Sequence, residues 1–313
     1  GHDFRPDYRR LGELRASMPD VPIMALTATA VPDVQRDIVR SLGLRSPYVQ
    51  KQSSYRPNLT IRVSRKLSGL SESLDGLVKT LLANNGAAAA SSTLVYVASK
   101  NDAEGVAAFL RSRHIVADFY HAGRTPAERE RVHLTFLSGQ LPVVCATVAF
   151  GMGIDKPDIR RVVHYGAPKT AEEYYQHIGR AGRDGGPATC EMIANDNDFS
   201  KYASDFYTKQ LPTGGAKERV LASTERLRGY ANNTTACRWV ALLGLMGERA
   251  DFNACGACDC CVRKKQFEGD SERNYAGEAR LLLTAAQANG VISRMEKAMA
   301  APPLAAMKAE LKP

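Results

Sequence analysis

One segment has the residue types of a ligand-binding turn and directly follows an apolar stretch at residues 143–146. Residues 146–157 are Ala-Thr-Val-Ala-Phe-Gly-Met-Gly-Ile-Asp-Lys-Pro. Gly151 and Gly153 allow the backbone to approach a ligand closely, and the Asp155 carboxylate can accept a hydrogen bond from a ribose hydroxyl. An ordinary glycine turn explains the same residues equally well. This segment alone therefore leaves a nucleotide site and a plain turn open.

A second segment contains two arginines and a glutamine at helical spacing. Residues 176–185 are Gln-His-Ile-Gly-Arg-Ala-Gly-Arg-Asp-Gly. If residues 171–183 form one helix, Gln176, Arg180 and Arg183 lie on one face of it. Guanidinium groups carry a fixed charge and can donate two hydrogen bonds to phosphate, so such a face suits a triphosphate. A solvated basic helix face would explain the arginines but neither the glutamine nor the glycines.

Five of the seven cysteines lie between Cys237 and Cys261. Cys255, Cys258 and Cys261 follow one another with two residues between each pair, and Cys237 lies further upstream. In a reducing compartment this crowding favours a metal over disulfides. Four thiolates at such spacing fit a closed tetrahedral zinc site. Cys260 is a fifth thiol, either an alternative ligand or, as we favour, a bystander.

The elements that must position these residues alternate between strands and helices. Short apolar strands are predicted at 94–97, 116–120, 143–146, 162–165 and 189–193, and helices at 70–82, 103–111, 127–137 and 171–183. This alternation predicts a parallel, doubly wound sheet, which binds its ligands at the carboxyl ends of its strands. Upstream, residues 23–30 predict a buried strand and residues 34–42 a helix that Gly43 stops. The strand pattern ends near residue 210, which predicts a domain boundary there.

Composition and charge narrow the class of protein. Of 313 residues, 44% are hydrophobic and 24% are charged, as in ordinary globular proteins. There is no run of about 18 apolar residues and no signal peptide, so we expect an intracellular protein with no membrane partner. The formal net charge of +9 suits a polyanion such as nucleic acid. Residues 216–265 carry nine Lys or Arg against five Asp or Glu, which favours contact with a phosphate backbone, although a solvated helical hairpin is the alternative.

The glycine and arginine segments together resemble motifs V and VI of superfamily 2 helicases. Gly-Arg-Ala-Gly-Arg-Asp-Gly at residues 179–185 is similar to the RecQ form of motif VI, and the cysteine layout is similar to the RecQ zinc-binding domain. Residues 26–30 resemble motif III, residues 94–100 motif IV, and residues 1–8 the second half of the aromatic-rich loop of RecQ proteins. These motifs occur in family order. The resemblance implies an ATP-dependent DNA helicase with 3′-to-5′ polarity, acting in DNA repair, recombination and replication.

The resemblance also implies roles for individual residues. Six would form the nucleotide site, with Arg183 as the arginine finger on the γ-phosphate: Gln176, Arg180, Arg183, Gly151, Gly153 and Asp155. Five would contact DNA or couple it to the nucleotide: Phe4, Arg5, Thr27, Thr29 and Thr147. A simple polar turn is the alternative for Thr27 and Thr29. The structural zinc would be bound by Cys237, Cys255, Cys258 and Cys261.

By the same resemblance the chain has four parts. They are a remnant of a first RecA-like lobe at 1–56, a second RecA-like lobe at 57–210, a mostly helical zinc-binding domain at 211–266, and the start of a winged-helix domain or a linker at 267–313. The sequence contains no Gly-x-x-x-x-Gly-Lys-Ser/Thr phosphate loop and no Asp-Glu-Ala-His. In the family both precede the aromatic-rich loop. We therefore expect a chain truncated at both ends, inactive alone, that shares ATP and magnesium with a missing N-terminal half.

The expected partners are single-stranded and branched DNA, and the expected location is the nucleus of a eukaryote or the cytoplasm and nucleoid of a bacterium. A second hypothesis is a non-catalytic zinc-containing module that binds DNA or protein and carries a vestigial motor lobe. An RNA helicase of the same superfamily is disfavoured by the zinc cluster and by residues 1–8. Residues that precede Gly1 would distinguish a motor from a binding module.

Overall fold

A six-stranded sheet lies within the first of two compact units, residues 1–262, in the computed structural model. The structure describes residues 10–27, 32–83, 92–151, 154–204, 215–267 and 276–288. The strands are β1 (Leu59–Arg65), β2 (Ser92–Val97), β3 (Ala117–Tyr120), β4 (Val143–Ala146), β5 (Ile159–Tyr165) and β6 (Ala188–Ala194). Every neighbouring pair is parallel, in the order β1-β6-β5-β2-β4-β3. The predicted parallel sheet is confirmed.

Helices form most of the connections between strands. They are α1 (Glu13–Ser17), α2 (Pro32–Ser41), α3 (Leu70–Ala83), α4 (Lys100–Ser112), α5 (Pro126–Leu137), α6 (Ala171–Ile178), α7 (Asp196–Ser200), α8 (Gly215–Asn232), α9 (Arg238–Leu245), α10 (Asp259–Gln266) and α11 (Ala276–Ala288). Polar side chains fix several starts, because they accept otherwise unpaired backbone N–H groups. Ser99 accepts from the N–H of Asp102 at α4, and Thr125 forms a capping box with Glu128 at α5.

Successive strand residues enter two separate cores, one on each face of the sheet. On one face Leu94 and Val144 pack with residues of α5 and α6. On the other face Val95 and Cys145 pack with residues of α3 and α4. Since neighbouring side chains of a strand point to opposite faces, these apolar strands are buried on both sides. The sheet is therefore doubly wound.

Residues 215–262 form a helical module that extends the core on the face of α5 and α6. Leu227 of α8 and Trp239 of α9 belong to the same buried cluster as the strands. The indole N–H of Trp239 donates to the carbonyl of Leu59 at 3.0 Å. The carboxylate of Asp259 accepts the backbone N–H of Val63 at 3.3 Å. Because β1 is an edge strand, the helical module satisfies a backbone group that the sheet leaves unpaired.

Three elements differ from the sequence expectations. Residues 23–27 form no strand, and Met24 and Leu26 are 82% and 86% exposed, because no strand among the described residues pairs with them. The helix predicted at 171–183 ends at Ile178, since Gly179 caps it and the following residues form turns. The strand β1 is additional, because the sequence predicts only an extended boundary there. The helix predicted at 34–42 is confirmed as α2, with Gly43 left-handed at φ +57°.

The second compact unit is residues 263–313, in which the structure describes the end of α10 and the helix α11. Leu281 and Leu282 of α11 are more than 70% exposed. The proposed start of a winged-helix domain stays a prediction. The predicted boundary near residue 210 lies outside the described residues. Within the described part of the chain, no helix combines the length and the apolar character that crossing a membrane requires.

Candidate functional site

The loop after β4 meets the loop after α6, and their contacts bring most of the predicted nucleotide residues together. We name them the glycine loop (residues 147–157) and the arginine loop (residues 179–186). The guanidinium Nη1 of Arg183 donates to the carbonyl of Ile154 at 3.2 Å and to Oδ1 of Asp155 at 3.3 Å. The Nη2 of Arg180 lies 3.0 Å from where a Cβ on Gly151 would be. Two segments widely separated in sequence therefore share one site.

The arginines occupy different environments. Arg180 is only 8% exposed, and its Nε has no hydrogen-bond partner among the described residues. The side chain of Arg183 is 38% exposed and that of Asp155 is 92% exposed. Gln176 is exposed on α6. Because α6 ends at Ile178, Arg180 and Arg183 lie in the arginine loop and not on a helix. The prediction that Gln176, Arg180 and Arg183 share one helix face is therefore wrong.

Tyr96, His164 and His177 form a buried layer behind Arg180. The hydroxyl of Tyr96 donates to the carbonyl of Phe150 at 3.0 Å, and its ring stacks on His177 with centroids 3.9 Å apart. The Nδ1 of His177 lies 3.1 Å from Nε2 of His164. Burial, and then the charge of Arg180, lower the pKa of His177 to about 3, so its imidazole is neutral. The sequence analysis did not predict this layer. Its only signal in the sequence is that Tyr96, His164 and His177 are polar rings within β2, β5 and α6.

The remaining predicted residues are placed as follows. Thr147 follows β4 directly: its N–H donates to the carbonyl of Tyr120 at 3.2 Å, and its carbonyl accepts from the N–H of Phe150 at 3.0 Å. Thr27 is exposed. Gly153, Phe4, Arg5 and Thr29 lie outside the described residues. The structure thus describes Thr27 and Thr147 of the residues predicted for DNA contact and coupling.

Four cysteine sulfurs converge in the helical module. Cys237 precedes α9, Cys255 and Cys258 lie in the loop before α10, and Cys261 lies in α10. Their Sγ atoms all lie within 4.8 Å of one another. Backbone N–H groups point at the sulfurs: Cys255 donates to Cys237 at 3.3 Å, Cys258 to Cys255 at 3.4 Å, and Cys261 to Cys258 at 3.5 Å. Gly256, with φ +76°, permits the tight turn between two of the ligands.

The donor set fits zinc. Tetrahedral zinc with Zn–S bonds of 2.3 Å would place its sulfurs about 3.8 Å apart, and the Sγ atoms of Cys255 and Cys261 are 4.0 Å apart. The Cys255 thiol, followed by the N–H groups of Arg238 and Cys261, lowers the pKa of Cys258 although burial opposes the shift, and the same contact raises the pKa of Cys255. A lowered thiol pKa favours the thiolate that binds a metal. The buried Cys260 is outside this group, and its sulfur faces the carbonyl of Asn233 at 4.0 Å.

Comparison with known proteins assigns both parts of this architecture. Residues 73–185 match the helicase conserved C-terminal domain, so the doubly wound sheet is the RecA-like second lobe of a helicase motor. Residues 197–262 match the RecQ zinc-binding domain, which makes the four-cysteine cluster a structural zinc site. The chain belongs to the RecQ family of superfamily 2 helicases.

Similarity to individual relatives extends over most of the chain. It is 42% identical over 299 residues to the bifunctional 3'-5' exonuclease/ATP-dependent helicase WRN of Mus musculus, covering 91% of this chain and 21% of that protein. It is 36% identical to the putative ATP-dependent DNA helicase Q1 of Caenorhabditis briggsae (92% and 45%). It is 38% identical to the ATP-dependent DNA helicase RecQ of Haemophilus influenzae (86% and 42%). The chain thus spans less than half the length of these relatives.

Proposed function

We propose that these residues are the second motor lobe and zinc module of an ATP-dependent DNA helicase with 3′-to-5′ polarity, acting in DNA repair, recombination and replication. The observation that carries this proposal is the contact between the glycine loop and the arginine loop, which places Arg183 beside Asp155 at 3.3 Å. Three relatives carry names that describe ATP-dependent helicases. Single-stranded and branched DNA are the proposed substrates.

In this proposal the two loops form one wall of the nucleotide cleft. Asp155 would accept from the ribose, and Gly151 with Gly153 would let the backbone approach the nucleotide. The exposed ion pair between Arg183 and Asp155 is weak, so Arg183 can turn to the γ-phosphate at small cost. There its guanidinium would stabilise the charge that develops during phosphoryl transfer.

Arg180 and Gln176 would support this wall in different ways. Arg180 is buried against Gly151 and would hold the glycine loop in place, whereas the exposed Gln176 would reach the nucleotide. Magnesium, when bound, would neutralise charge on the β- and γ-phosphates. The 313 residues contain no phosphate loop and no Asp-Glu-Ala-His, so we propose that this chain alone hydrolyses no ATP.

The DNA would run along the same edge of the lobe and over the basic helical module. Thr147 is the first residue of the glycine loop, where a contact with the DNA backbone could be coupled to the nucleotide. Phe4, Arg5, Thr27 and Thr29 are the other residues proposed for DNA contact and coupling. Zinc would act structurally, because a closed site with four thiolates leaves no position for a substrate.

The test uses the full-length product of the gene that encodes these residues. We expect ATP hydrolysis that single-stranded DNA stimulates, and unwinding of a duplex with a 3′ overhang but not of one with a 5′ overhang. DNA binding without any hydrolysis would reject the motor and favour a zinc-containing binding module. The 313-residue chain, assayed in parallel, should release no phosphate.

A further inference from the structure

The arginine loop is hydrogen-bonded to the segment at residues 56–58, which directly precedes β1. The Nη2 of Arg56 donates to the carbonyls of Ala181 at 3.1 Å and Gly182 at 2.6 Å. The Nδ2 of Asn58 donates to the carbonyls of Gly182 at 2.9 Å and Gly186 at 2.8 Å. These carbonyls lie on both sides of Arg183 in the chain. The backbone that carries Arg183 is therefore fixed by two side chains more than 120 residues away in sequence.

Arg56 and Asn58 act on the loop as one unit. The Nε of Arg56 donates to Oδ1 of Asn58 at 3.3 Å, which orients the amide so that its nitrogen faces the arginine loop. Gly182 has φ +53°, and a Cβ on it would lie 2.6 Å from Nδ2 of Asn58. The left-handed glycine and the asparagine therefore fit each other without space for a side chain.

The opposite side of the loop is tied to the segment around β5. The N–H of Gly182 donates to the carbonyl of Ile159 at 2.9 Å, and the N–H of Asp184 donates to that of Pro157 at 3.2 Å. The carboxylate of Asp184 forms an ion pair with Arg160. The loop is not helical, and one internal hydrogen bond spans Arg183, from the N–H of Gly185 to the carbonyl of Gly182 at 3.1 Å. The contacts with the segment around β5 and those with Arg56 and Asn58 are added to this turn.

We propose that Arg56, acting with Asn58, is a positioning residue for Arg183. It holds the backbone on each side of Arg183 so that the guanidinium reaches the phosphate chain during hydrolysis. Arg56 itself is half-buried, and its Nη2 is occupied by these carbonyls, so the role proposed for it is to hold the loop and not to bind the nucleotide. This inference rests on the proposed helicase function.

The test is Arg56→Gln in the full-length gene product, with Arg65→Gln as the matched control at an exposed position of β1. A small displacement of a catalytic group can reduce turnover by roughly 10²-fold, so we expect a loss of that order in kcat for DNA-stimulated ATP hydrolysis. The KM for ATP should change little, because the loop acts mainly in the transition state. Zinc content should stay at the wild-type value. Arg65→Gln should hydrolyse ATP as the wild type does.

A second measurement does not depend on activity. Amide hydrogen exchange of the 313-residue chain reports opening of the arginine loop. In Arg56→Gln the amides of Asp184 and Gly185 should exchange at least about tenfold faster than in the wild type, since charge-assisted hydrogen bonds are lost. If Arg56→Gln fails to fold, Arg56→Lys is tested by the same two measurements. A smaller loss of kcat is expected, because lysine keeps the positive charge but not the planar guanidinium that donates to two carbonyls.

The outcomes separate the two proposals. Wild-type kcat and wild-type exchange in a folded Arg56 variant would overturn the positioning role. A wild-type protein that hydrolyses no ATP would remove the proposed function, and the exchange rates alone would then decide whether Arg56 holds the loop. A fall in kcat that Arg65→Gln reproduces equally would also overturn the assignment, because it would reflect general loss of positive charge.

Discussion

Arg183→Ala should separate catalysis from stability. The side chain of Arg183 is 38% exposed and that of its partner Asp155 is 92% exposed. An exposed ion pair contributes at most about 1 kcal/mol, so the urea midpoint should hardly move. Removal of an arginine finger lowers turnover by roughly 10³-fold or more, equivalent to about 4 kcal/mol of transition-state stabilisation. The expected loss in catalysis is therefore several times the expected loss in stability.

Two companion variants identify the cause of the loss. Arg183→Lys should not restore turnover, because an ammonium group cannot reproduce the planar two-point contact of a guanidinium with phosphate. Arg65→Ala, which removes an exposed arginine at the end of β1, should leave turnover near the wild-type value. Affinity for DNA and for ATP should change much less than kcat in both Arg183 variants.

The assay is steady-state ATP hydrolysis by the full-length gene product with saturating single-stranded DNA. Urea denaturation measures stability, and fluorescence anisotropy at two salt concentrations measures DNA binding. A surface arginine without a catalytic role predicts near-normal turnover in both variants, with a small loss of salt-dependent DNA binding. Normal turnover in Arg183→Ala would refute the arginine-finger assignment.

The zinc centre and the buried layer behind the arginine loop give three further predictions. Metal analysis should find one zinc per chain in Cys260→Ser, whereas Cys258→Ser should lose zinc and unfold the module, because structural zinc contributes on the order of 10 kcal/mol to folding. Gly151→Ala should destabilise the protein by about 1–3 kcal/mol in urea denaturation, because its methyl carbon would crowd the buried guanidinium of Arg180. Stability should fall as the pH drops from about 6.5 towards about 3, because His177 is neutral in the fold while the unfolded histidine binds a proton, with about 2 kcal/mol lost by about pH 5.

Each of these predictions has a control that isolates the cause. Zinc lost from Cys260→Ser but kept in Cys261→Ser would show that the ligand set is wrong. An unchanged urea midpoint in Gly151→Ala would show that the guanidinium has room to move. For the histidine, the pH dependence of unfolding should be weaker in His177→Gln than in the wild type, because contributions of the cysteines and carboxylates cancel in that comparison. Equal pH dependence would contradict the neutral histidine.

The doubly wound sheet was predictable because its strands are short apolar runs separated by amphipathic helices. Residues 143–146, for example, are apolar on both faces and rich in valine, which favours a buried strand. Residues 23–27 have a similar composition but form no strand. A strand also requires a neighbouring strand to pair with, which composition does not reveal. The strand β1 follows Pro57 and Asn58 directly. Because these residues are typical of turns, the sequence did not indicate a strand there.

The sequence indicated that residues 151–155 and 180–183 act together, but it did not indicate the geometry that brings the two segments into contact. The spacing of Gln176, Arg180 and Arg183 matches a helix, and the same segment contains Gly179 and Gly182, which end one. Periodicity alone could not show which signal prevails. The contacts of Arg56 with the carbonyls of residues 181 and 182 are still less accessible, because a backbone carbonyl has no signature in the sequence.

The zinc centre has a structural consequence for the motor lobe although no step of hydrolysis would use it. Small modules bury too little apolar surface to fold securely, and a bound metal supplies that stability. The sulfur of Cys258 accepts the N–H of Arg238 at 3.4 Å, and the guanidinium of Arg238 forms two hydrogen bonds of 2.9 Å with Asp259. Asp259 in turn accepts the N–H of Val63 in β1.

This series of contacts ends at β1. The segment directly before β1 carries Arg56 and Asn58, which donate hydrogen bonds to the arginine loop. Arg238 is only 2% exposed, so loss of Asp259 would leave a buried charge unpaired, which costs roughly 3–5 kcal/mol. Asp259 directly follows the zinc ligand Cys258 and accepts the N–H of Val63, so zinc removal should loosen the edge of β1 as well as the helical module itself. The segment that carries Arg56 enters β1 directly, and the N–H of Ser54 in it donates to Glu248 of the module at 2.9 Å. A metal site can thus support an arginine that it never touches, through the strand on which both depend.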